Sequence, residues 1–129
     1  MAGLKAIAPQ FLVADVRRAA EHYRDRLGFE IDGYFLDPPV FAMVKRDGLR
    51  IQLGRVDGAH GGSNRRWKSI AYDAYIWVDD VDALHAELQG RGADVLGPPQ
   101  VRDYGMKELE VRDGDGYLIC FGADAPRAS

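Results

Sequence analysis

Apolar residues recur in two stretches of the chain at the three-to-four spacing of an amphipathic helix, each entered from a short alternating strand. In the first, Val16, Ala19, Ala20, Tyr23 and Leu27 share one face, which predicts a helix over about 16–27. Asp15 stands where an N-cap belongs, and Gly28 permits a left-handed turn just past the end. In the second, Val81, Leu84, His85 and Leu88 share a face over about 81–89, with Asp80 as N-cap and Gly90 and Gly92 bracketing the end.

The two helices belong to a repeat. An offset of 65 lays Val13-Ala14-Asp15-Val16 on Val78-Asp79-Asp80-Val81, Ala19 on Leu84 and Tyr23 on Leu88. An offset of 68 lays Gly48-Leu49-Arg50-Ile51-Gln52-Leu53-Gly54 on Gly116-Tyr117-Leu118-Ile119-Cys120-Phe121-Gly122. Asp47-Gly48 and Asp115-Gly116 are hairpin-tip signals in both halves. Asp37-Pro38-Pro39 and Gly97-Pro98-Pro99 also match, each read as a turn leading into a later strand. Two elements repeated in order and spacing indicate a duplicated β-α-β-β-β unit, hence an α+β fold. The expected layout is one domain: module one over 1–56, a glycine-rich connection over 57–71, module two over 72–123 and a tail over 124–129.

Composition narrows the function. A chain of 129 residues suits one compact domain, and 47% apolar with 29% charged residues is a globular balance. A net charge of −3 supplies no general attraction to nucleic acid or to an anionic membrane. Arg65-Arg66-Trp67-Lys68 is too short to change that. No continuous apolar stretch resembles a membrane span or a signal peptide, and the single cysteine, Cys120, fits a reducing compartment. The expectation is a cytoplasmic protein with a small-molecule partner.

The motifs Phe11-Leu12-Val13-Ala14-Asp15-Val16, Glu21 to Phe29, Tyr75 to Leu84, Tyr104-Gly105-Met106-Lys107-Glu108 and Val111 to Gly122 together resemble the vicinal oxygen chelate superfamily. It includes glyoxalase I, bleomycin-resistance proteins and extradiol dioxygenases, and the resemblance covers nearly the whole chain. It implies two modules whose sheets curl into a cup holding the active site, usually in a homodimer.

Strand alternation then says which residues such a cup would hold. Phe11, Val13, Ile51, Leu53, Ile119 and Phe121 are assigned to the helix layer. Ala8, Gln10, Leu12, Arg50, Gln52, Asp73, Tyr75, Trp77, Leu118 and Cys120 are assigned to the inner face. Pairing across Asp47-Gly48 sets Met43 opposite Gln52 and Phe41 opposite Gly54. In metal-using relatives four inner positions carry His and Glu ligands. Carried over, they fall on Ala8, Gln52, Asp73 and Cys120, of which Ala8 has no donor, Gln52 only a neutral amide, and Cys120 a donor only as thiolate. No metal or other cofactor is therefore expected, a divalent ion on this reduced set being the alternative.

The histidines do not restore the set. His22 is read as a solvated helix residue, His85 as a structural one, and His60 lies in the connection, where it could fold over the cup as a base. Asp73 is the candidate base or cation partner, against an ordinary solvated aspartate. Cys120 is read as buried in preference to nucleophilic. Phe41, Trp67, Tyr75, Trp77 and Tyr104, with Met43 as filler, suggest an aromatic lining, completed by Gln10, Arg50, Gln52 and Asp73; packing in the core and dimer is the alternative. Two functions follow. One is a metal-free binding protein of bleomycin-resistance type, holding an aromatic or cationic compound in a cup at a dimer interface. The other is a lyase, isomerase or dioxygenase using an ion.

Overall fold

A computed structural model describes residues 1–58 and 62–125. The chain divides into two compact units, Met1–His60 and Gly61–Ser129. Each is a helix laid on a mixed sheet, which is the α+β architecture expected of the repeat.

In the first unit the order is β1 (Gln10–Val13), α1 (Val16–Leu27), β2 (Glu30–Phe35), β3 (Phe41–Arg46) and β4 (Leu49–Arg55). The sheet order is β1-β4-β3-β2, with β1 parallel to β4 and the other pairs antiparallel. The α1 helix starts where the Asp15 carboxylate accepts the Arg18 amide at 3.1 Å, and it ends at Gly28, whose φ of 74° is left-handed. Val16, Ala19, Ala20, Tyr23 and Leu27 are all buried, as the spacing predicts. They meet Ala42, Val44, Ile51 and Leu53, buried from the sheet side. Each large apolar side chain removed from water contributes about 1.5–3 kcal/mol before entropy is charged against it, so this interface holds the unit together. His22 departs from its solvated reading. It is half-buried beside Tyr23, with ring centroids 6.5 Å apart, because its position borders the apolar stripe.

The second unit runs β5 (Ala74–Trp77), α2 (Val81–Gly90), β6 (Asp94–Val95), β7 (Gln100–Val101), β8 (Met106–Arg112) and β9 (Leu118–Asp124). Its path is β5-β9-β8-β6, with β7 also on β8 and β5 parallel to β9. Asp80 caps α2 by accepting the Ala83 amide at 2.9 Å. Only Val81 and Leu88 of α2 are buried, and His85 is half-buried on the same side.

Two apparent correspondences differ in detail. Asp37-Pro38-Pro39 joins β2 to β3, whereas Gly97-Pro98-Pro99 interrupts the strand equivalent to β2 and leaves the short pieces β6 and β7. Proline cannot donate to a ladder, so a Pro-Pro pair inside that strand breaks it. The hairpin tips differ too. Asp47 and Gly48 both have positive φ (51° and 80°), the two-residue turn expected of Asp-Gly. At the second tip the Gly116 amide bonds back to the Asp113 carbonyl, and the buried Asp113 carboxylate accepts the amides of Asp115 and Tyr117.

The stretch read as a connection is not bare. Asn64–Arg66 forms one 3-10 turn capped by Ser63, and Ser63 and Asn64 bond to Asp73 while Arg65 pairs with Glu110 on β8. His60 lies outside the described residues.

Candidate functional site

The face of the second sheet opposite α2 collects a buried carboxylate and a row of aromatic rings. Glu108 on β8 pairs with Gly122 on β9, and Tyr75 on β5 pairs with Cys120. The Tyr75 ring leans diagonally across Gly122 and donates its hydroxyl to Glu108 Oε2 at 2.8 Å. Gly122 makes this possible, because a Cβ built there would overlap the Tyr75 hydroxyl. Tyr104 donates to Glu108 Oε1 at 2.6 Å, and Arg102 Nε donates to the same oxygen at 3.2 Å. Arg102 also reaches Glu110 and the Gln100 amide oxygen, and Arg65 pairs with Glu110. A cavity of about 30 Å³ lined in part by Arg102, Glu108 and Glu110 adjoins the cluster.

Electrostatics act on Glu108 and the two phenols in opposite directions. Burial pushes the Glu108 carboxyl up, but hydrogen bonds from Tyr104 and Tyr75 and the Arg102 guanidinium outweigh it, so the carboxyl lies below its ordinary range. Burial, and then the bond to Glu108, pushes the Tyr104 phenol up to about 12 and raises Tyr75 likewise. Both phenols therefore stay protonated donors around an ionised acceptor. Burial, followed by the nearby Glu108 charge, raises the Cys120 thiol to about 12. Cys120 is 2% exposed, so it packs as a small buried side chain.

Tyr75 is also the middle of three rings. Its centroid lies 5.4 Å from Tyr72 and 4.7 Å from Trp77, both tilted. Trp77 is 72% exposed, so this row presents a bare indole at its outer end.

Other expected site residues have different occupations. Asp73 is no free base: its carboxylate accepts Ser63 Oγ at 2.6 Å, the Asn64 amide at 2.7 Å and the Leu118 amide at 2.8 Å. Those donors make it a clip joining the 3-10 turn to the start of β9. Leu118, assigned to an open inner face, is buried beside the clip. Arg50 is held by Asp32, which sits at a register shift in β2 and also binds Lys45 at 3.1 Å. The two cations hold the Asp32 carboxyl below its usual range, Lys45 more strongly. Gln10 donates to Gln52 at 3.3 Å on the first sheet, with Phe41 and Met43 half-buried on that same face. Trp67 projects to solvent with the Arg66 guanidinium 5.1 Å over its ring.

The donors present do not fit a catalytic metal. Ala8 has none, Gln52 offers only a neutral amide oxygen already accepting from Gln10, and both Asp73 oxygens accept hydrogen bonds from Ser63, Asn64 and Leu118. Among the described residues no three His, Cys, Asp or Glu side chains gather as ligands.

Sequence reasoning missed Glu108, Arg102, Gly122 and Tyr72. The repeat carried the signal for Glu108: Phe41 pairs with Gly54 and Glu108 with Gly122, so Glu108 stands in the slot of Phe41.

Residues 4–121 match the model of the Glyoxalase/Bleomycin resistance protein/Dioxygenase superfamily, and the chain belongs to it. No curated protein matches significantly. Among solved structures, the bleomycin-binding protein from bleomycin-producing Streptomyces verticillus, complexed with copper(II)-bleomycin, is 26% identical. The match covers 98% of this chain and 100% of that one, with a TM-score of 0.69. TioX from Micromonospora sp. ML1 is 21% identical over 93% and 98%, at a TM-score of 0.72. A glyoxalase-related enzyme from Clostridium phytofermentans is 15% identical over 95% and 97%, at 0.76. The last two show likeness of fold. No helix among the described residues is long and apolar enough to cross a membrane.

Proposed function

We propose that this chain, as a superfamily member, is a metal-free small-molecule-binding protein. It holds a planar aromatic or cationic compound against the Tyr72–Tyr75–Trp77 row and works as a cytoplasmic homodimer. The observation that carries the reading is Trp77: a large indole left mostly bare at the end of a ring stack whose central member is tied to a buried carboxylate. An exposed, oriented aromatic face is the usual means of gripping a flat or cationic ligand. One stacked ring is worth about 0.5–1.5 kcal/mol beyond the area it buries, and a cation over an exposed ring about 0.5–1 kcal/mol.

The other support is chemical. Groups that would activate water or substrate are engaged elsewhere: Asp73 by three donors, Glu108 by two phenols and a guanidinium, and Cys120 by burial. The likeness to a bleomycin-binding protein adds a ligand class to try first.

The test is a thermal-shift titration with metal-free bleomycin, copper(II)-bleomycin and planar aromatic dyes, on protein whose metal content has been measured. The expected result is a concentration-dependent rise in Tm from at least one such compound, with no stoichiometric metal in the unliganded protein. No shift from any of them, or one equivalent of tightly held zinc, nickel, iron or manganese, overturns the reading.

A further inference from the structure

We infer that Glu108 is a positioning residue for ligand stacking: through the Tyr75 hydroxyl it fixes the Tyr75 ring, which in turn fixes Trp77. This rests on the proposed binding role of the ring row. Trp77 is 72% exposed, and its indole packs on the Tyr75 ring with centroids 4.7 Å apart. Tyr75 has its own orientation set at the far end, by the 2.8 Å bond to Glu108. Glu108 is 5% exposed and cannot swing away, being tied on its other oxygen to Tyr104 and Arg102. The chain of restraint therefore runs from a buried carboxylate to an exposed indole, and Gly122 leaves the gap through which it passes. A ring already held in its binding orientation loses less entropy when a ligand stacks on it.

Charge does not explain the same arrangement. The two carboxylates of the cluster, Glu108 and Glu110, meet two guanidiniums, Arg102 and Arg65. With the charges balanced and Glu108 buried, the cluster is poorly suited to drawing in a cation. Its contribution lies in geometry.

The two accounts separate at Glu108→Gln. A glutamine still accepts one phenol and offers its amide N–H to the other phenol oxygen, so the tether survives without the charge. Glu108→Leu removes both.

In a Trp67→Phe background, acrylamide quenching and fluorescence anisotropy of Trp77 are measured on the free protein, and bleomycin affinity by titration. Trp77 is expected to become more quenchable and more mobile in Tyr75→Phe, Glu108→Leu and Gly122→Ala, and to stay near wild type in Glu108→Gln. Bleomycin is expected to bind roughly fivefold more weakly, or worse, in the first three, and within about twofold of wild type in Glu108→Gln. Unchanged Trp77 mobility in Tyr75→Phe, or a Glu108→Gln variant as impaired as Glu108→Leu, overturns the inference. Tyr75→Phe deletes one oxygen and keeps the ring, so it decides the matter even where the harsher variants do not fold. Failure of wild type to bind bleomycin sinks the binding role, whereas the Trp77 readout on free protein still judges the tether.

Discussion

The two units use one backbone plan for different chemistry. By the repeat and the strand registers, Gln10 corresponds to Tyr75, Leu12 to Trp77, Gln52 to Cys120, Phe41 to Glu108 and Met43 to Glu110. On the first sheet these slots hold two amides, sharing a 3.3 Å bond, among apolar neighbours. On the second they hold two carboxylates, Glu108 buried among its donors, together with Tyr75, a buried thiol and an exposed indole. Both keep glycine at the matching place, Gly54 and Gly122. A Cβ at Gly54 would meet the Leu12 and Gln10 side chains at 3.4–3.6 Å, ordinary contact, whereas one at Gly122 would overlap Tyr75. The same residue is convenient in one unit and required in the other. A repeated pleat keeps its positions while its side chains differ, and the ring row with its buried carboxylate occurs on one of the two sheets.

The helices differ in the opposite sense. Five side chains of α1 are buried against two of α2, so the first unit is anchored more heavily. The matched pair Tyr23 and Leu88, both fully buried, measures this contrast. Tyr23→Ala is expected to cost about 3–5 kcal/mol and Leu88→Ala about 2–4 kcal/mol in urea unfolding. A larger loss at Leu88 breaks the contrast. Next in size is Asp73→Ala, which strands three donors and is expected to cost about 2–3 kcal/mol. Gln52→Ala, which breaks one exposed bond, should cost under about 1 kcal/mol by the same denaturation series.

Glu108 sharpens the comparison through pH. Its folded carboxyl lies below the ordinary value of 4.5, so the folded state binds its proton less readily than the unfolded state. The stabilisation is complete above that ordinary value and is lost as pH falls through the lower, folded one. Chemical denaturation across pH 7 to roughly 3 is expected to show a loss that Glu108→Gln makes shallower. An identical slope in both proteins contradicts the assignment. The smallest effect concerns Cys120. A thiol held near 12 should resist iodoacetamide at pH 8 in the folded protein and react promptly in urea, read by intact mass. Prompt labelling of the native protein would show that this face is open.

Much of the fold was legible because its signals are local. The Asp caps, Gly28, the Asp47-Gly48 turn and the period of Val16 to Leu27 act within a few residues of each other. The helix-facing residues of β1 and β4, Phe11, Val13, Ile51 and Leu53, followed from alternation. The clip at Asp73 was not legible, since its partners are two backbone amides and a serine hydroxyl, groups that every sequence contains. Nor was the inequality of the Pro-Pro turns, which depends on which strand each interrupts. Glu108 was missed for a different reason. The ligand positions implied by the resemblance, Ala8, Gln52, Asp73 and Cys120, include none on β8, although the buried Leu109 and Val111 mark Glu108 and Glu110 as facing the other way.

The central claim is that an exposed aromatic face on the second unit binds a small molecule without a protein-held metal. Calorimetric titration of bleomycin into metal-free wild type and into Trp77→Ala tests it most directly. The account predicts saturable binding by the wild type and a loss of roughly tenfold or more in the variant, as befits an aromatic anchor worth at least about 1.4 kcal/mol. Equal affinity in the two proteins, or binding that appears only after a divalent ion is added to the protein, would contradict it.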